Sequence, residues 1–213
     1  MIRQAIIPLA GLGTRLLPLT SVFAKELLPI NGKPGIQYIL DECIEAGIKE
    51  VIFIISNKKK IIKKYFYNDA LFKKIIKKKK DKRLINEYKK IKKYKKIIKF
   101  VYQNEPKGTG DAVLKTIKKI KDNYFLMLLP DDIIIKKNCS KDMISIHNKM
   151  KCSVMASMRV NKKTVNRWGI FKKKENINKI NFFIKDVIEK PEIKSAPSNN
   201  AVIGRYILPR TIF

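Results

Sequence analysis

The apolar run Ala5-Ile6-Ile7-Pro8-Leu9 empties into Ala10-Gly11-Leu12-Gly13-Thr14-Arg15, and ten residues later comes Lys25-Glu26-Leu27-Leu28-Pro29. Gly11 and Gly13 carry no Cβ, so the backbone there can approach a ligand closely and turn its N–H groups toward it. Thr14 and Arg15 add donors suited to phosphate oxygens, Arg15 with a planar fork, and Lys25 supplies a second, more mobile charge. The chemistry this implies is polyphosphate binding. The pattern is not the dinucleotide fingerprint, which needs a third glycine at G-x-G-x-x-G spacing. Nor is it a Walker A loop, which needs Lys-Ser/Thr after its second glycine.

Three further constellations could join it. Gln103 is followed by Lys107-Gly108-Thr109-Gly110-Asp111. A primary amide presents a donor and an acceptor side by side, complementary to the imide edge of uracil or thymine. Two glycines let the loop fold against a flat base, and Thr109 or Asp111 suits the cap of a following helix. Leu128-Leu129-Pro130-Asp131-Asp132 puts adjacent carboxylates at the end of a buried-type strand. Carboxylates there are costly unless paired or hydrogen-bonded, and magnesium favours one or two of them together with phosphate oxygens. Trp168-Gly169 and Glu189-Lys190-Pro191 offer a carboxylate for sugar hydroxyls and a cation for a phosphate. Taken singly, each has a plainer reading as a turn, a helix cap or an exposed ion pair. Their company favours chemistry.

The extended pattern L-A-G-L-G-T-R-L-L-P with K-E-L-L-P resembles the sugar-1-phosphate nucleotidylyltransferases, most closely the bacterial UTP–glucose-1-phosphate uridylyltransferases. The resemblance continues through Lys33–Tyr38, Glu42–Ile48, Gln103–Val113, Leu129–Asp132, Trp168-Gly169, Glu189–Pro191 and Pro197–Leu208, and is poor around residues 58–99. It implies transfer of a uridylyl group from UTP to α-D-glucose 1-phosphate, giving UDP-glucose and pyrophosphate. In that scheme Ala10, Gly11, Leu12, Gly13, Thr14 and Glu26 bind the nucleotide, with Gln103 and Gly108 at the uracil. Asp131 holds magnesium, the one implied cofactor. Asp132, the Gly169 backbone and Glu189 take the sugar, while Arg15, Lys25 and Lys190 place the phosphates and stabilise the transferring charge.

The resemblance adds homo-oligomerisation, while the thiols, the hydropathy and the spread of the lysines lead to the expectation of a cytoplasmic location with no specific nucleic-acid partner and no membrane partner. Its members continue for tens of residues beyond a segment like Ile203–Leu208, contributing a second metal carboxylate, a further lysine and oligomerisation helices. UTP binding with weak turnover is therefore the expectation for residues 1–213. Three other readings stay open at this point. A thymidylyltransferase, or another sugar-1-phosphate nucleotidylyltransferase on the same scaffold, fits because the amide of Gln103 cannot exclude the 5-methyl group of thymine. The other two are a basic nucleic-acid-binding protein with a vestigial pocket, and an inactive remnant.

The elements that must position these residues alternate. Ala5–Leu9, Val51–Ser56, Lys99–Tyr102, Phe125–Leu129 and Ser153–Val160 read as strands, and Gly35–Ala46, Asn57–Tyr65, Gly110–Lys121 and Ser140–Lys149 as helices. Such alternation predicts an α/β fold, a mostly parallel Rossmann-like sheet with helices on both faces. Ligands bind such sheets outside the carboxyl ends of the strands, so the loops after Leu9, Tyr102 and Leu129 should share one rim. After Ser153, strands at Trp168–Lys172, Asn181–Glu189 and Ala201–Leu208 predict a small α+β appendage on the sugar side, over about 153–213. The whole is read as one domain.

With 213 residues, 45% of them hydrophobic, the chain can bury one substantial core. It has no apolar stretch near the roughly 20 residues of a membrane span, and Met1 leads straight into the first strand with no signal peptide. Cys43, Cys139 and Cys152 show no metal spacing and read as reduced thiols. His147 is the only histidine, which excludes a His-based triad or zinc site, and it is expected at the surface. The net charge of +30 favours contact with polyanions in general. The plainer reading is drift toward Lys, Ile and Asn, because the lysines occupy every polar face without interleaved aromatics. About twenty of the basic residues fall in 58–99, read as a solvated helical insertion.

Overall fold

Ile6, Ile7, Phe53 and Ile54 are all fully buried, although neighbours along a strand point to opposite faces. Only a sheet covered on both sides accommodates that, and it explains why these strands read as unbroken apolar runs. The computed structural model describes residues 1–105 and 107–213. In chain order it runs β1 (Gln4–Pro8), β2 (Pro29–Ile30), β3 (Lys33–Pro34), α1 (Gly35–Glu45), β4 (Glu50–Ile55), α2 (Lys60–Tyr67), α3 (Ala70–Lys79), α4 (Lys82–Ile97) and β5 (Ile98–Tyr102). There follow α5 (Gly108–Leu114), β6 (Tyr124–Leu128), α6 (Cys139–Met150), β7 (Val154–Arg159), β8 (Gly169–Asn176), β9 (Phe182–Glu189) and β10 (Asn200–Pro209).

The nucleotide half of the sheet is parallel, in the order β5-β4-β1-β6, with Ile6 level with both Ile52 and Met127. Ile7, Val51, Phe53 and Ile55 face a core shared with α1, α2, α4 and α6, where Phe53 meets Phe66 and Phe100 at 5.9 and 5.8 Å between ring centroids. Ile6, Ile52 and Ile54 face the other way, onto Ala112 and Val113 of α5 and onto Ile120. Each such fully buried side chain contributes about 1.5–3 kcal/mol.

Beyond β6 the sheet turns antiparallel. β10 pairs with β6 (Tyr206 opposite Met127) and also with β7 and β8, and β8 continues into β9. The appendage is therefore the continuation of the main sheet, because β10 belongs to both halves.

Several expectations need correction. The helix expected over Gly110–Lys121 starts at Gly108 and ends at Leu114. Its first turn has no side-chain cap from Thr109 or Asp111, and beyond it Thr116 Oγ1 bonds the Val113 carbonyl at 2.7 Å. The basic segment is helical, but α2 and α4 are not merely solvated: Ile62, Phe66, Ile91 and Tyr94 belong to the main core. Aromatics do meet its lysines, with Lys95 Nζ 4.9 Å above the Tyr67 ring and Lys92 Nζ 5.2 Å above Tyr88. Those rings are covered by the chain's own cations. His147 is buried, its Nδ1 donating to the Cys152 carbonyl at 2.7 Å and its ring 4.4 Å from that of Tyr124. An amphipathic helix packed on a sheet buries whatever its inner face carries.

Candidate active site

The ladder extends one residue past the formal strand ends, and this aims the loops. Leu9 N–H bonds Ile54 O at 2.8 Å, Gln103 N–H bonds Ile55 O at 2.9 Å, and Leu129 N–H bonds Gly204 O at 2.8 Å. Three strand ends thus deliver Ala10-Gly11, Gln103 and Leu129–Asp131 to one rim, as parallel topology requires. A cavity of about 290 Å³ opens there. Ala10, Gly11, Lys25, Glu26, Gln103, Gly108 and Asp131 line it, all of them site residues expected from the sequence.

Gln103 is 5% exposed, and both amide protons are engaged: Nε2 donates to Gly108 O at 3.1 Å and to Asp111 Oδ2 at 2.7 Å. Both partners are acceptors, so the amide can be oriented only this way. The loop itself thereby consumes the donor edge, and the carbonyl edge is the part Gln103 can offer a base. Asp111, expected as a cap, instead holds this amide.

Lys25 Nζ lies 3.2 Å from Asp131 Oδ2, and the Asp131 side chain is 57% exposed. Glu26 is buried and its two oxygens accept from Lys59 Nζ at 2.7 and 2.9 Å. Burial holds the pKa of Lys59 below the ordinary lysine value, opposed by the Glu26 carboxylate. Lys59 was assigned to the solvated basic segment and was missed. It lies between β4 and α2, and nothing in the lysine-rich sequence around it marks this lysine for burial against Glu26.

Leu12, Gly13, Thr14 and Arg15 are not among the residues lining this cavity. They form a loop with Gly13 in the left-handed region (φ 72°), pinned where Thr20 Oγ1 donates to Gly13 O at 2.8 Å, and Leu12, Thr14 and Arg15 are exposed.

The expected sugar residues gather on the antiparallel side. Gly169 is paired with Glu189 across β8 and β9, and a Cβ on Gly169 would stand 3.0 Å from Glu189 Oε2. Lys190 follows in the left-handed region (φ 46°), its N–H bonded to Trp168 O at 3.0 Å and its Nζ 3.6 Å from Glu189 Oε1. That ion pair is exposed and of little worth to stability. Asp132 Oδ2 accepts from Gly204 N–H at 2.6 Å, so the adjacent carboxylates diverge, Asp131 toward Lys25 and Asp132 toward β10. Tyr206, not foreseen as a site residue, lies in the field of both Asp132 and Glu189. Burial first, and then those carboxylates, push its phenol pKa up.

Among the described residues no group of three or more His, Cys, Asp or Glu side chains gathers to hold a metal. Of the two carboxylates that line the cavity, Glu26 has both oxygens taken by Lys59, whereas the Asp131 side chain is largely exposed; one such carboxylate suits magnesium when phosphate oxygens complete the shell. No helix of the described residues is long and apolar enough to cross a membrane.

Residues 4–213 match the family model described as nucleotidyl transferase. The chain is 38% identical over 217 residues to the UTP–glucose-1-phosphate uridylyltransferase of Mycoplasma pneumoniae, covering 100% of this chain and 73% of that relative. It is similar to the solved structure of apo UDP-glucose pyrophosphorylase, with a TM-score of 0.90 at 35% identity, covering 100% of this chain and 78% of that one. A UDP-glucose pyrophosphorylase complexed with UDP-glucose matches with a TM-score of 0.84 at 34% identity, over 99% of this chain and 77% of that one.

Proposed function

Because the chain belongs to the nucleotidyl transferase family, within its UTP–glucose-1-phosphate uridylyltransferases, we propose that the cavity at the carboxyl rim of the parallel strands is where UTP and glucose 1-phosphate react. The products are UDP-glucose and pyrophosphate. The observation that carries the assignment is the meeting of Lys25, Gln103 and Asp131, from three distant parts of the chain, around one cavity.

A phosphate oxygen of the sugar phosphate attacks the α-phosphorus of UTP in line. The new P–O bond forms as the bond to the β-phosphate breaks, and pyrophosphate leaves on the opposite side. The attacking oxygen is already ionised at neutral pH, so no general base is needed, in keeping with the buried, carbonyl-bonded His147. What the chain supplies is positioning and charge. Gln103 offers its carbonyl oxygen to the uracil N3–H, and Gly11 lets the backbone approach the nucleotide. Lys25 exchanges Asp131 for a phosphate oxygen when UTP arrives. Glu189 accepts sugar hydroxyls beside Gly169, while Lys190 and Arg15 reach the phosphates from the exposed rim. Magnesium, when bound at Asp131, neutralises charge on the phosphate oxygens. Cytoplasmic location, where the three thiols stay reduced, and self-association belong to the same reading.

Calorimetry with UTP, paired with pyrophosphate release from UTP and glucose 1-phosphate, tests the assignment. UTP binding that is lost on Lys25→Ala supports it. No binding of UTP by the folded chain would overturn it.

A further inference from the structure

Among the described residues the largest fully buried side chain is that of Arg205, on β10, at 0% exposure. A guanidinium has five N–H donors, and all five are used. Nε donates to Glu42 at 3.0 Å and Nη2 donates to Glu42 Oε2 at 2.8 Å. The second Nη2 proton goes to Asp132 O at 2.7 Å, and Nη1 donates to Leu129 O at 3.2 Å and Gly204 O at 2.9 Å. Glu42, on α1, is fixed in turn by Ser140 at the start of α6, whose Oγ donates at 2.5 Å and whose N–H donates at 3.2 Å.

A buried ion pair is a weak stabiliser compared with apolar packing of the same volume. What distinguishes this one is what it holds. Leu129 and Asp132 bracket Pro130-Asp131, the turn whose carboxylate faces the cavity, and one rigid planar group bonds the carbonyl at each end. Gly204 closes the frame: its N–H binds Asp132 Oδ2 and its O accepts from Leu129 N–H. A Cβ there would fall against Leu129 and stand 2.8 Å from Asp132 Oδ2.

We propose that Arg205, anchored by Glu42, is the positioning residue of the Leu129–Asp132 turn, setting where Asp131 meets a phosphate-bound cation and which way Asp132 points. The proposal rests on the reading of Asp131 given above. Without the guanidinium, the carbonyls of Leu129, Asp132 and Gly204 each lose a donor and the turn can relax while the Gly11 loop and Gln103, on other strands, stay in place. Lysine, with three donors on a flexible stem, restores the charge and not the two-ended clamp.

The test measures UTP affinity by calorimetry in EDTA and in magnesium. Arg205→Lys should bind UTP in EDTA within twofold of the parent, yet lose at least fivefold of the gain that magnesium brings. Equal gains in parent and variant overturn the positioning role. Asp131→Asn is the control for the underlying reading: if it keeps the full magnesium gain, the metal assignment fails and not the clamp. Should Arg205→Lys not fold, hydrogen exchange on the parent chain decides. Gly204 and Leu129 amides exchanging as slowly as those of Ile6 and Ile52 support the clamp, and exchange through faster local opening overturns it.

Discussion

Lys25 and Asp131 stand 106 residues apart in the chain and 3.2 Å apart in space, on one wall of the candidate cavity. A cation expected to hold phosphate and a carboxylate expected to hold a metal thus occupy one another. A triphosphate entering with magnesium would exchange both partners at once, so the resting ion pair keeps the two charges compensated until substrate arrives.

Asp131→Asn should separate binding from chemistry. Removal of the carboxylate leaves Lys25 without its acceptor, so UTP affinity in EDTA should hold or rise. Turnover at saturating magnesium should fall by about 10²–10⁴ relative to the parent. A fall below threefold in the pyrophosphate-release assay would exclude a metal role for Asp131.

Gln103→Glu places an anion against two acceptors, Gly108 O and Asp111 Oδ2, that now receive its N–H donors. UTP affinity should drop by about 1–3 kcal/mol. Calorimetry with UTP and CTP checks it; unchanged discrimination between the two would count against base reading at this position.

Lys59→Met leaves Glu26 buried without its cation. Breaking a buried pair from one side costs about 3–5 kcal/mol, whereas removing both charges costs much less. Urea denaturation should therefore show a large loss for the single variant and substantial recovery in Glu26→Gln/Lys59→Met. Equal losses in the two would mean that the pair is not coupled.

The Cys139 thiol is pushed up to about 11, by burial first and by the Glu42 carboxylate second, with Arg205 pulling the other way. The thiolate is the reactive form. Below that pKa its population grows with pH, so alkylation of Cys139 should accelerate about tenfold per pH unit from 8 to 10. Mass spectrometry of the Cys139 peptide reads the rate, and a pH-independent rate would contradict the burial.

The rim was legible because it follows from local pattern. Apolar runs alternating with helical periods imply parallel strands, and parallel strands collect their carboxyl ends on one side, so the sequence pattern alone brings Gly11, Gln103 and Asp131 together. Lys59 was not legible in the same way, since a lysine among many lysines carries no signal of its own. Its burial depends on where α2 begins relative to Glu26. His147 was misread for a related reason: helical period says that a face is buried, and neighbouring polar residues masked which one.

By itself the sequence determined the strand–loop–helix grammar, the cavity-lining residue types and the family, because these rest on spacing over a few residues. The tertiary structure alone decided who partners whom. Arg205 and Glu42 lie 163 residues apart, and nothing in either neighbourhood announces that one guanidinium would bond three carbonyls. The physical reason is that a buried polar group must find every partner it needs from whatever the fold brings near. Those partners come from the packing of α1, α6, β6 and β10 together, which no local pattern encodes.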